Sequence, residues 1–206
     1  MAMEETSDLQ MLRLAQAGEE AAFVALYRRW QGSLYRYSLR LSGSAPVAED
    51  VTQEVFLALM DGVSGFDPAL GSFPSYVYGI ARNHVLRRMS RERFFAPMAD
   101  EAEGEQQGAH ATWSVQSDPL GDLTRQEKIE SLHRAISTLP LRYREVVVLC
   151  ELQELSYADA AQVIGCPEGT IRSRLHRARI LLLDKLQEKT SEDVRAPRIE
   201  PARCLP

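Results

Sequence analysis

The tripeptide Gly165-Cys166-Pro167 constrains the folding of this chain more than any other feature. It breaks the stretch Ser156–Arg179 into two short helical segments, because glycine ends a helix in the left-handed region and proline cannot donate the amide that would continue it. Ahead of the break, Ser156-Tyr157-Ala158-Asp159 reads as a capping box: Ser156 caps the first turn and Asp159 reaches back to the Ser156 amide. Behind it, Ile171, Leu175, Ala178 and Leu182 fall at spacings of four, three and four, one apolar stripe that a helix would bury. The opposite face carries Arg172, Ser173, His176, Arg177 and the solvent side of Arg174. Two short helices, a tight turn and an Arg-dense outer face outline a helix-turn-helix, whose second helix fits the DNA major groove. Arg grips phosphate or pairs with guanine, and Thr170 near the helix start can offer a hydroxyl or amide to a phosphate. The competing reading is a plain helical hairpin with a polar outer face.

A net charge of −5 over 206 residues argues against nucleic acid, but the distribution of charge argues more than the sum. From Phe94 to Asp122 there are six acids and no Lys or Arg, whereas Arg82–Arg93 holds five Arg against Glu92 alone. The acidic middle conceals a basic segment on one side and the Arg-rich helix on the other. Aromatics at Phe66, Phe73, Tyr76 and Tyr78 precede the basic run. Rings beside guanidinium groups suit single-stranded nucleic acid, with bases stacked and phosphates held; aromatics in a core and arginines on a solvated face would look the same.

Helical spacing covers the rest. Leu9–Tyr37 reads as two amphipathic helices with a turn at Gly18. Ser44 and Pro46 mark the start of a helix over Ala45–Met60, with Val47, Val51, Val55, Phe56 and Leu59 inside and Glu49, Asp50, Gln53 and Glu54 outside. Asp61–Ser75 is loop-like, Tyr76–Arg91 is helical, and Leu123–Lys189 is helical around Leu132, Ile136, Leu139, Val146, Val147, Leu149, Leu152 and Leu155. The fold class is all-α, with two small helical domains at 8–93 and 123–189, a flexible acidic linker at 94–122 and a disordered tail at 190–206. Trp113 in the linker could dock on a domain or a partner.

Four segments together resemble the extracytoplasmic-function class of bacterial RNA polymerase sigma factors. CPEGTIRSRLHRAR is similar to that family's recognition helix, and Ala48–Phe56 to its region 2.2. Phe73–Asn83 is similar to regions 2.3 and 2.4, and Ile136–Arg144 to the start of region 4. The resemblance implies that Asp50, Gln53 and Glu54 dock on the clamp helices of the polymerase, turning an acidic face into an interface. Phe73 and Tyr76 would open or stack on the −10 element, Asn83 would read its upstream edge, and Arg82, Arg87 and Arg88 would hold its backbone. Tyr157, Thr170, Arg172, Ser173, Arg174, His176 and Arg177 would contact the −35 element. The implied function is an alternative sigma factor that binds core RNA polymerase, recognises both promoter elements and assists melting. Its expected partners are core polymerase, promoter DNA and an anti-sigma factor.

Two other classes make different demands on the chain. A stand-alone helix-turn-helix regulator would bind a palindrome as a dimer and would not need Asp50, Gln53 and Glu54. An enzyme would need a site that the sequence does not offer. His84, His110, His133 and His176 do not pair with carboxylates at metal-ligand spacing, and no glycine-rich phosphate loop follows a strand. The chain is therefore read as not an enzyme, with no cofactor, metal or small-molecule substrate. No apolar run approaches the roughly 18–20 residues of a membrane span, Met1–Asp8 does not resemble a signal peptide, and Cys150, Cys166 and Cys204 form no disulfide framework. A cytoplasmic location is expected.

Overall fold

The computed structural model describes residues 7–62, 65–95 and 121–195, and every described element is helical. Helix α1 (Asp8–Gln16) opens with a reciprocal cap in which Ser7 Oγ accepts from the Gln10 amide and the Gln10 side chain accepts from the Ser7 amide. Gly18, at φ +96°, turns the chain into α2 (Glu20–Ser42). Left-handed Gly43 then ends α2 and leads into α3 (Ala45–Asp61). Proline sits in the first turn of α3, where its missing amide costs nothing. The Ser44 hydroxyl makes no cap bond; instead Ser42 Oγ accepts from the Ser44 amide.

Helix α4 spans Phe73–Phe95. It starts inside the stretch expected to be loop, since Pro74 is tolerated in a first turn, and it ends inside the expected linker. Helix α5 (Gly121–Ser137) likewise begins before residue 123. Pro140 then separates it from α6 (Leu141–Val147). A π-helical turn, Val148–Leu152, follows, and Glu154 at φ +56° redirects the chain into α7 (Tyr157–Ile164). Gly165, at φ +76°, closes α7 as expected, and α8 runs Glu168–Arg195, beyond the expected end at 189. The rest of the linker, with Trp113 and His110, and the tail from 196, with Cys204, lie outside the described residues.

Helices α1 to α4 pack around Leu26, Leu34, Tyr37, Val51, Val55 and Val77, all fully buried. Each such side chain contributes roughly 1.5–3 kcal/mol by leaving water. Trp30, Phe73, Tyr78 and Phe66 interlock edge to face at 5.5–6.0 Å, a geometry that aromatic quadrupoles favour. Helices α5 to α8 bury Ile136, Leu139, Val146, Leu149, Ile171, Leu175 and Ala178. Leu132 and Leu152, expected in this core, are each 36% exposed, while Leu182 is half-buried. Ile129 of α5 is also exposed.

The two halves touch. Helix α4 packs along α7, and α2 meets α5, α6 and the π turn. Arg144 joins them through charge: its buried guanidinium donates to the carbonyls of Leu41 (3.0 Å), Leu139 (3.1 Å) and Ser137. These acceptors lie at the C-terminal ends of α2 and α5, where helices leave carbonyls unpaired and favour a cation.

Candidate nucleic-acid interface

The outer face of α8 stands as the stripe Ile171, Leu175 and Ala178 requires. Those three are buried, while Arg172, Ser173, His176 and Arg177 are exposed and Arg174 and Thr170 are half-buried. Arg172 pairs with Glu168 at 3.1 Å and lies 5.9 Å over the Tyr157 ring, so α7 and α8 present one continuous surface. Ser173 Oγ donates to the Thr170 carbonyl at 3.0 Å, and Arg179 pairs with Glu151 at 2.5 Å. The cap differs from the expected box. Ser156 Oγ accepts from the Asp159 amide, but the Asp159 carboxylate takes the Ser156 hydroxyl, not its amide, and spends its other oxygen on Ser72.

The α4 residues separate into three groups. Asn83 and Arg87 are exposed and, with Leu86, Ser90 and Arg91, line a shallow groove. Tyr76 is half-buried, its ring 5.4 Å from that of Phe66. Phe73 does not fit the expected stacking role in this conformation: it is 7% exposed and wedged between Trp30 and Phe66. Arg82 and Arg88, expected to hold the DNA backbone, are engaged within the chain. Arg82 Nε donates to Glu145 at 2.8 Å, where both side chains are largely buried. Arg88 forks across α3, donating to Asp50 at 2.7 Å and Glu54 at 2.6 Å. Sequence reading missed Glu145; a carboxylate directly preceding the apolar run Val146–Leu149 was the available sign that, if buried, it would need a cation facing it.

The acidic face of α3 is thus partly spoken for. Gln53 is exposed, but Asp50 and Glu54 hold Arg88, and His84 Nδ1 lies 2.5 Å from Glu54. Burial works to raise the Glu54 carboxyl, but the Arg88 hydrogen bond and the Arg88 and His84 charges outweigh it and hold the group below its ordinary range. A carboxyl with a depressed folded pKa stabilises above its unfolded value of about 4.3, and that stability is lost as pH falls through the folded value. The melting-temperature gap between the native chain and Glu54→Gln should therefore be full at neutral pH and close on acidification. A gap unchanged in acid would show that the pair adds nothing. Among the described residues no three or more His, Cys, Asp or Glu converge as metal ligands, and no helix is long and apolar enough to cross a membrane.

Comparison with known proteins matches both halves. Residues 26–95 match the family model "Sigma-70 region 2", and residues 129–182 match "Sigma-70, region 4". The chain is 33% identical over 184 residues to the RNA polymerase sigma-H factor of Pseudomonas aeruginosa, covering 87% of this chain and 94% of that one. It is 32% identical to the ECF RNA polymerase sigma factor SigE of Mycolicibacterium smegmatis over 85% of its own length, but spans only 66% of that relative. Among solved structures, the sigma factor RpoE in complex with the anti-sigma factor NepR from Bartonella quintana shares the fold with a TM-score of 0.61. Its identity is 25%, over 76% of this chain and 91% of that one.

Proposed function

Because the chain belongs to the extracytoplasmic-function class of RNA polymerase sigma factors and so directs promoter-specific transcription with RNA polymerase, we propose how its residues divide that work. Residues 8–93 form the unit that docks on polymerase and handles the −10 element, 123–189 the unit that reads −35, and 94–122 the tether between them. The exposed Arg172-Ser173-His176-Arg177 face, backed by a fully buried stripe, is the observation that carries this reading. Phosphate contacts from Arg supply affinity, and a few base-edge contacts supply specificity. At −10, Asn83 and Arg87 contact DNA and Tyr76 stacks on an unpaired base, with Phe73 supporting the aromatic cluster from within. Attachment of both units to one polymerase raises their effective concentration on the promoter, so neither need bind tightly alone.

On α3, Asp50, Gln53 and Glu54 form the polymerase-docking face. An anti-sigma factor, as in the complex of RpoE, would regulate access to it. The protein acts in the cytoplasm without catalysis or cofactor. The direct test adds purified core polymerase and follows complex formation and run-off transcription. Gln53→Lys should weaken core binding about tenfold, the cost of one misplaced charge at an interface, with no change in melting temperature. Glu54→Lys should lower both, because it also breaks the Arg88 pair. Full binding by both variants would remove α3 from the interface.

A further inference from the structure

We propose that Glu151 and Glu168 set the specificity of the DNA face, each holding one arginine of α8 back from phosphate so that it serves base edges and not non-specific binding. This rests on the −35 role given above to α8. Of Arg172, Arg174, Arg177 and Arg179, two have carboxylate partners among the described residues: Arg172 pairs with Glu168 at 3.1 Å and Arg179 with Glu151 at 2.5 Å. Seven residues apart, these two arginines fall on one side of α8, about 10 Å from each other along its axis. Tyr157 of α7 links them. The Arg172 guanidinium lies 5.9 Å over its ring. Glu151 first, through its hydrogen bond and charge, and Tyr157 after it hold the Arg179 guanidinium above its ordinary range. Glu168, Arg172, Tyr157, Arg179 and Glu151 thus form one connected row across α8, α7 and the π-helical turn.

Stability does not account for the row. Both acids and both arginines are largely open to solvent, and ion pairs so exposed add little. The helix dipole favours an acid in the first turn of α8, where Glu168 sits, but Glu151 lies outside that helix and still meets an arginine of it. The effect falls on DNA binding instead. Non-specific affinity comes from cations that neutralise phosphate and release its counterions. An arginine whose charge a carboxylate offsets adds little to that release, and the carboxylate itself repels the backbone. The guanidinium fork nonetheless keeps N–H groups that the acid leaves unused, held in place for a guanine edge. The two acids therefore lower affinity for all DNA more than affinity for the right sequence, and specificity is the ratio of the two.

The test follows binding of the full chain to a fluorescein-labelled duplex pool of fully randomised sequence over a series of salt concentrations. Glu151→Gln and Glu168→Gln should each bind the pool about fivefold more tightly at about 0.1 M salt, and each should steepen the fall of log affinity with log salt by about 0.9, the value of one added phosphate contact. Selection from the same pool should yield a base preference about threefold weaker in either variant than in wild type, the scale of one exposed ion pair. Glu154→Gln makes the same charge change three residues beyond Glu151, on a side chain that holds no arginine of this face, and should keep the wild-type slope and preference. Melting temperatures should agree throughout, because a pair with a merely structural role would move them and not the slope. Slopes in both variants no steeper than in Glu154→Gln would overturn the proposal, as would a base preference that both retain in full. A wild-type selection without any base preference would overturn it together with the −35 reading. A preference lost in Arg172→Ala but kept in both Gln variants would overturn the proposal alone.

Discussion

Replacing Arg172 and Arg177 together by alanine should lower run-off transcription from a −35-dependent promoter by at least about thirtyfold. The lower bound takes about 1 kcal/mol for each arginine that contacts a base. Both side chains lie on the exposed face of α8, so their removal leaves Ile171, Leu175 and Ala178 packed as before. The Arg172–Glu168 pair lost in the process is an exposed i,i+4 bridge, 70% and 49% open to solvent, and such pairs add little to stability. Helix content and binding to core polymerase should therefore be those of the native chain. Promoter output that survives both substitutions would remove −35 reading from this helix.

The largest stability effect is expected far from any reading face. Arg144→Met should lower the melting temperature by about 6–12 °C. It removes a charged donor from three carbonyls and leaves those acceptors dry, for a loss of about 3 kcal/mol. A chain of this size loses about 2–4 °C per kcal/mol. The methionine fills much of the volume, so packing is not the variable being tested. Because the Leu41 carbonyl belongs to one half and those of Ser137 and Leu139 to the other, the loss should also loosen their contact. A thermal melt within about 2 °C of wild type would mean that water replaces the guanidinium.

Local signals carried most of the elements. The helix-turn-helix, its left-handed Gly165 and the stripe behind the arginines stand where spacing and turn chemistry put them, and α3 differs from expectation by one residue at its end. What periodicity cannot state is which neighbour a polar side chain will meet. Arg82 and Glu145 are 63 residues apart, Tyr78 and Gln153 75, and Ser72 and Asp159 87, so nothing local marks them as partners. Phe73 shows the same limit: an aromatic at a helix entrance reads alike whether it stacks on a base or on Trp30.

One guanidinium on α4 holds two carboxylates on α3, so polymerase docking on the proposed α3 face would be an exchange. A basic group that polymerase brought to Asp50 and Glu54 would compete with Arg88, so ion pairs formed at the interface would be offset by those broken within the chain. The displaced arginine then sits on the helix assigned to DNA, with its charge uncompensated and a phosphate as its natural replacement. On that reading, occupying α3 would raise the affinity of α4 for DNA, and DNA that captured Arg88 would leave the α3 carboxylates more available to polymerase, as reciprocity requires. Arg88 would then be the exchangeable counterion through which the two proposed interfaces communicate.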